Sequence, residues 1–178
     1  AAMAAERNVI RYFAKLIGFG DDADGIFTHG GSAGNMTGLL AARQAMSEYN
    51  VWEEGVRHDR PAGIIVSDQS HYSISRNARV IGLGGASVIR IPNDGRYAMR
   101  TDLLDETWRR AEDKGIRVIC VAANACSTAT GSYDNLEEIA AFCREHRLWF
   151  HVDGAHGLGV LFSGKYRHLV RGLEHTDS

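Results

Sequence analysis

Residues 148–157 read LWFHVDGAHG, and this stretch decides the class of fold. Trp149 to Val152 is short and rich in aromatic and β-branched residues, with a charged segment before it and glycines after it, which predicts a buried strand. Asp153 follows this strand directly. Because ligands of α/β proteins bind in the crevice beyond the carboxyl ends of the strands, Asp153 is a candidate functional acid. The alternative from this stretch alone is that Asp153 caps the following turn.

Apolar strands and helical segments alternate through the rest of the chain. The predicted strands are 63–66, 86–91, 117–122 and 149–152, and the predicted helices are 3–17, 36–49, 74–81, 101–114 and 136–146. Thr101 is the expected cap of the fourth helix, and Asp134 or Asn135 that of the fifth. The connections are long enough for crossovers, and strands apolar on both faces are typical of parallel sheets. We therefore predict one α/β domain, three-layered, with a mostly parallel sheet and helices on both faces.

The composition argues against several classes of function. The 178 residues include 20 Lys and Arg against 22 Asp and Glu, for a net charge of -2, and the basic residues are scattered. This leaves no basic patch for a nucleic acid or an anionic membrane surface. The 3 cysteines follow no zinc-ligand spacing and form no disulfide framework. No apolar run approaches a membrane span, and the first residues do not resemble a signal peptide, so we predict a cytoplasmic protein without a metal site.

A glycine-rich stretch, HGGSAGN at 29–35, precedes the second predicted helix. Glycines let the backbone turn its N–H groups toward an anion, the helix start adds the positive end of its dipole, and Ser32 can add a hydroxyl. A phosphate group would fit there. The alternative is an ordinary helix start in which the glycines allow close packing, because the stretch matches neither GxGxxG nor the P-loop.

Two further candidate residues follow predicted strands. His71 lies in SDQSHYS at 67–73, where an imidazole could act as a base, a ligand or a flat surface for a ring, or could simply be hydrogen-bonded within a loop. Thr128 lies in the run of small residues ANACSTATG at 123–131, which forms either a tight turn or a surface that a flat ligand can approach. The glycine-rich stretch could bind an anion and His71 could stack on a ring. Together with the Asp153 carboxylate, they would suit a phosphorylated, flat, basic heterocycle.

The chain resembles the group II pyridoxal-phosphate decarboxylases, the family of glutamate, aromatic amino acid and cysteine sulfinate decarboxylases. The matching stretches are GIFTHGGSAGN at 25–35, LLAAR at 39–43, SDQSHYSI at 67–74, GSYDNLEEIA at 131–140 and HVDGA at 151–155. They follow the order and spacing of the family and span nearly the whole chain. The resemblance implies a fold of the aspartate aminotransferase type, pyridoxal 5′-phosphate as cofactor and a homodimer.

The resemblance also implies which residues bind the cofactor: Gly31, Ser32, His71, Thr128, Asp153 and Ala155. Gly31 and Ser32 would hold the phosphate. His71 would stack on the pyridine ring, and Ala155 would pack on its other face. Asp153 would bond the ring nitrogen and keep it protonated, so that the ring can accept the electrons left when carbon dioxide departs. His71 and Asp153 are thus the expected catalytic residues.

Departures from the family pattern concern the substrate and the extent of the chain. Gly154 stands where the family usually has alanine and His156 where an aromatic residue is common, which leaves the substrate unspecified. The Schiff-base lysine of the family follows a histidine in a strand that would come after residue 178, and no lysine of this chain matches it. We therefore expect residues 1–178 to be the N-terminal and central part of the cofactor-binding large domain. The N-terminal segment, the lysine strand and the C-terminal small domain would lie outside it, and the chain would be inactive alone.

The function that the resemblance implies is decarboxylation of an L-amino acid by the complete protein. Its partners would be a small-molecule amino acid and a second subunit, with no nucleic acid and no membrane. Two alternatives stay open from sequence: another pyridoxal-phosphate enzyme of this fold, either a lyase or an aminotransferase, and a catalytically dead partner subunit.

Overall fold

The computed structural model describes residues 2–57 and 59–178. Its helices are α1 (Ala2–Ile17), α2 (Gly31–Ala45), α3 (Val51–Glu54), α4 (Tyr72–Val80), α5 (Leu104–Asp113) and α6 (Leu136–His146). Its strands are β1 (Ala62–Ser67), β2 (Val88–Ile91), β3 (Arg117–Asn124) and β4 (Trp149–Asp153). Short 3-10 helices lie at Gly85–Ser87, Thr101–Leu103, Leu158–Phe162, Arg167–Val170 and Leu173–His175.

The sheet is parallel throughout, with the strand order β2-β1-β3-β4. Asn124 at the end of β3 pairs with Asp153 at the end of β4. The parallel α/β fold that the alternation of strands and helices predicts is therefore confirmed. Because all strands run in one direction, their carboxyl ends meet at one edge of the sheet, and the loops that follow them share that edge.

Helices cover both faces of the sheet. On one face, α5 and α6 pack their apolar side chains, such as Leu104 and Ile139, against Phe150 of the sheet. On the other face, Leu39 of α2 and Ile74 of α4 lie in a second core cluster. The first helix differs from these, because α1 contains no buried residue. Within the described ranges, the helices are all too short or too polar to cross a membrane.

Helix α2 begins at Gly31, five residues before the predicted start at 36, and ends at Ala45 rather than Tyr49. The glycine-rich stretch is therefore mostly the first turns of the helix and not a loop. A Cβ atom at Gly31 would lie 2.5 Å from the Cβ of Ala155, and one at Gly38 would lie 2.7 Å from the ring of His151. The glycines allow α2 to approach β4 more closely than any side chain would permit, and this packing outweighs their poor helix propensity.

The predicted cap of α5 is wrong. Thr101 begins a 3-10 helix, and α5 starts only at Leu104, without a side-chain cap. The Thr101 hydroxyl bonds the carboxylate of Glu138 instead, which ties this corner to α6.

Of the two candidate caps for α6, Asn135 is the one used, since its Oδ1 accepts from Glu138 N at 3.3 Å.

Asp134 is buried and accepts hydrogen bonds from other segments instead. One carboxylate oxygen accepts from Met99 N at 2.7 Å, and the other accepts from Asn124 N at 2.7 Å and Asn124 Nδ2 at 3.0 Å. Burial raises the pKa of this carboxyl group, while the hydrogen bonds oppose that rise. Asp134 thus joins the loop around Met99 to the end of β3.

We expect Asp134→Asn to lower the free energy of unfolding by about 1–3 kcal/mol, because an amide nitrogen would face buried N–H groups. Urea unfolding followed by circular dichroism measures the change. Asp94→Asn is the matched control, since Asp94 also accepts backbone bonds, from Arg96 N and Ala98 N, but is exposed to water. An equal loss in the two variants would show that burial of Asp134 does not matter.

Candidate functional site

A pocket of about 210 Å³ lies at the carboxyl end of the sheet. It is lined by Gly31, Ser32, His71, Thr128, Asp153, Ala155 and His156. All six residues predicted from sequence as cofactor-binding are in this set, and His156 adds a second imidazole. They come from the start of α2, the loop before α4, the loop after β3 and the end of β4, so only the fold brings them together.

A larger depression of about 590 Å³ lies between the segment 19–28, α2, β4 and residues 176–178. We place the candidate site in the smaller pocket, because an acid, an imidazole and a helix start converge there. Those three groups are what a ligand with a phosphate and a basic ring requires.

The acid of the site, Asp153, is held by two N–H donors. Oδ1 accepts from Ala155 N at 3.2 Å, and Oδ2 accepts from the Asn35 side-chain Nδ2 at 2.7 Å. The first bond is the turn cap that the sequence allowed as an alternative. The second comes from a helix on the other side of the pocket, so Asp153 is oriented from both sides.

The end of the pocket that is chemically suited to an anion is the start of α2. The preceding Gly30 has φ 100 and ψ 169, a conformation that favours glycine, and it has no side chain to cap the helix. The first N–H groups of a helix have no partner within it, and the helix dipole adds partial positive charge there. Asn77 Nδ2 donates to Ser32 O at 2.8 Å, which holds this first turn against α4.

The imidazole of the site, His71, lies directly before α4 and caps that helix. Its Nδ1 accepts from Ser73 N at 3.3 Å and lies 2.8 Å from Ser73 Oγ. The sequence allowed a histidine with a local hydrogen bond, and the Nδ1 atom of His71 makes such a bond. The Nε2 atom and the ring of this half-buried side chain are left available to a ligand in the pocket.

Three buried polar residues behind the pocket were not predicted from sequence: Asn35, Ser73 and His151. Asn35 Nδ2 donates to Ser73 Oγ at 2.9 Å as well as to Asp153, and Asn35 Oδ1 lies 3.0 Å from His151 Nε2. Two periodicities could have suggested Asn35 and His151, but none suggests Ser73. Asn35 lies one helical turn after Gly31, and His151 lies two residues before Asp153 on the same face of β4.

His151 is fully buried and is held in its neutral form. Burial lowers its pKa to about 4, although the Asp153 carboxylate and the backbone of Ser178 act in the opposite direction. Its Nδ1 lies 2.9 Å from Ser178 Oγ, and that oxygen also accepts from Trp149 Nε1 at 2.8 Å.

The fold defines the class of protein, which is a parallel α/β domain of the kind found in pyridoxal-phosphate decarboxylases of the aspartate aminotransferase type. The chain superimposes on the crystal structure of mouse CSAD with a TM-score of 0.94 and 35% sequence identity, covering 98% of this chain and 36% of that one. The glutamate decarboxylase domain of a Vibrio parahaemolyticus transaminase and decarboxylase gives a TM-score of 0.93 at 28% identity, with 98% and 39% covered.

The sequence comparison then gives the family. The conserved domain of pyridoxal-dependent decarboxylases matches residues 1–178, and the chain belongs to this family, whose cofactor is pyridoxal 5′-phosphate. Human cysteine sulfinic acid decarboxylase is 37% identical over 173 residues, which are 97% of this chain and 35% of that protein. The aromatic-L-amino-acid decarboxylase of Bacillus atrophaeus is 32% identical over 173 residues, again 97% of this chain but 34% of the relative. The chain thus spans about a third of the length of these curated relatives.

The depressed pKa of His151 predicts that stability falls as the pH falls from about 6.5 to about 4. In this window the unfolded chain binds a proton at His151 that the folded chain does not bind, so the loss of stability is on the order of 3 kcal/mol over the window. Urea unfolding at several pH values measures it. His151→Gln should reduce the dependence of the free energy of unfolding on pH. An identical dependence in both proteins would contradict the lowered pKa of His151.

Proposed function

We propose that residues 1–178 are the N-terminal and central part of the cofactor-binding large domain of an amino acid decarboxylase. The observation that carries the proposal is the convergence of the start of α2, His71 and Asp153 in one pocket. The relatives named above are decarboxylases about three times as long as this chain, which supports a larger protein. Such a protein would remove the carboxyl group of an L-amino acid as carbon dioxide.

The residues of the pocket fit pyridoxal 5′-phosphate. Its phosphate would be held by the N–H groups of Gly31 and Ser32 and by the Ser32 hydroxyl, at the positive end of a helix. Its flat ring would lie between His71 and Ala155, and its basic nitrogen would meet Asp153. The close approach of Gly31 to Ala155 supports this arrangement, because a larger residue at position 31 would push into the methyl group that packs on the ring.

When bound, the cofactor supplies an acceptor for the electron pair that the departing carbon dioxide leaves on the substrate. Asp153 would hold a proton on the ring nitrogen by accepting a hydrogen bond from it. The two donors to Asp153 fix the carboxylate in the position that this bond requires. His71 would cover the ring and exclude water from that face, and Thr128, which also lines the pocket, would offer its hydroxyl as a further donor.

We also propose that the protein is a cytoplasmic homodimer. Tyr12 and Phe13 of α1 form an exposed aromatic cluster with Phe162, with ring centroids 5.7 Å apart for Phe13 and Phe162 and 6.5 Å apart for Tyr12 and Phe162. An exposed apolar cluster of this kind often marks a surface that another chain covers. The free cysteines Cys120, Cys126 and Cys143 are consistent with a reducing compartment.

We expect Asp153→Ala to lower the rate of decarboxylation about 10²- to 10³-fold in the full-length protein, and Asp153→Asn to lower it nearly as much, because the charge is lost. Release of carbon dioxide from a panel of acidic and aromatic L-amino acids measures activity. Asp68→Asn is the control, since Asp68 is an exposed acid after β1 that does not line the pocket.

Undiminished turnover by Asp153→Ala would contradict the assigned role of Asp153. Formation of a keto acid without carbon dioxide would replace decarboxylation by amino transfer. A wild-type protein that binds pyridoxal 5′-phosphate but releases neither product would support the inactive partner subunit.

A further inference from the structure

We propose that Asn35 is the positioning residue of the site, and that its one amide group holds the Asp153 carboxylate and the His71 ring in a fixed relation to each other. The inference rests on the proposed function, because it assigns the geometry of the same pocket. Asn35 is 4% exposed and makes hydrogen bonds to three side chains on two different elements, Ser73 of α4 and both Asp153 and His151 of β4.

The chemistry of the amide determines which atom faces which partner. A carboxylate only accepts hydrogen bonds, so the atom of Asn35 that faces Asp153 Oδ2 at 2.7 Å must be the NH₂ nitrogen. The amide oxygen then faces His151 Nε2 at 3.0 Å, which requires the hydrogen of the neutral imidazole to be on Nε2. His151 Nδ1 is consequently an acceptor for the Ser178 hydroxyl. The amide oxygen of Asn35 is therefore held by the buried ring of His151, in which the hydrogen can only be on Nε2.

The second hydrogen of the Asn35 amide nitrogen connects Asp153 to His71 through Ser73. It is donated to Ser73 Oγ at 2.9 Å, so the hydroxyl hydrogen of Ser73 is free to bond His71 Nδ1 at 2.8 Å. Ser73 N donates to the same ring nitrogen. With Nδ1 occupied as an acceptor, the neutral ring of His71 carries its hydrogen on Nε2, the nitrogen left for the ligand.

The two side chains closest to asparagine in shape would not serve both walls. Leucine offers no hydrogen bond, and an ionised aspartate could accept from His151 but could not donate to the Asp153 carboxylate. Asn35 can reach its partners only because Gly31 and Gly38, on the same helix, bring α2 against β4.

The test uses the dissociation constant of pyridoxal 5′-phosphate from the full-length protein, measured by equilibrium dialysis between pH 5 and pH 8. Each variant is compared with wild type at the same pH, which cancels the ionisation of the cofactor itself. Asn35→Leu should weaken binding about tenfold to hundredfold at every pH, the effect of losing a hydrogen bond to a charged group. Asn124→Leu is the matched control, because Asn124 is 3% exposed and donates to the Asp134 carboxylate outside the pocket.

Asn35→Asp gives a readout that a purely structural role would not change. At acid pH the introduced carboxyl group can keep a proton and donate it to Asp153, so binding should approach that of wild type. As the pH rises the proton is lost and the two carboxylates repel each other, so binding should weaken toward that of Asn35→Leu. The pH dependence of cofactor binding by Asn35→Asp tests the inference even if Asn35→Leu does not fold.

Wild-type affinity in Asn35→Leu would overturn the inference, as would a loss no greater than that in Asn124→Leu. An affinity of Asn35→Asp that keeps a constant ratio to wild type across this pH range would overturn it too. Failure of the wild-type protein to bind pyridoxal 5′-phosphate is a different result, because it would overturn the proposed function itself.

Discussion

The close contact between α2 and β4 is the constraint on which the rest of the site depends. Glycine at positions 31 and 38 removes the Cβ atoms that would otherwise meet Ala155 and the His151 ring. The helix can then place its uncapped first turn beside the turn after β4, and it can extend Asn35 to Asp153. The uncapped helix start and the Asp153 carboxylate are thereby held next to each other by backbone packing, before any ligand contributes.

The strands and α6 were predictable because their signals are local. Strands buried on both faces are apolar at every position, so their centres could be located within a residue or two. Both ends of α6 agree with the predicted range of 136–146. Asn135, one of the two candidate caps, begins the helix, and Arg147 leaves it in a left-handed conformation. The start of α2 was not predictable in this way. Each glycine disfavours a helix by about 1 kcal/mol relative to alanine, and the packing that compensates involves β4, more than a hundred residues away.

The pocket residues were predictable for a similar reason, and the groups behind them were not. Each strand end and the glycine-rich stretch can be recognised locally, and a parallel sheet places them at one edge. The resemblance to a family then assigned them roles, which the geometry accommodates. Asn35 and His151 are suggested only by their spacing from Gly31 and Asp153, and no local pattern points to Ser73, because a buried polar side chain is explained only by its partners. The partners of Asn35 are Ser73, 38 residues away, His151, 116 residues away, and Asp153, 118 residues away, and no local pattern contains those separations.

Each proposed site residue is also fixed in the fold by contacts of its own. Asp153 accepts from Ala155 N with Oδ1 and from Asn35 Nδ2 with Oδ2, and His71 caps α4 with Nδ1 while Nε2 is left over. Gly31 packs on Ala155 through its missing side chain and leaves its N–H to an anion. In His71 and Gly31, the atom that contacts the protein also fixes the orientation of the atom that is left for a ligand. The contacts that stabilise the local structure therefore also preorganise the site. A residue that served only one purpose would need additional contacts to be held as firmly.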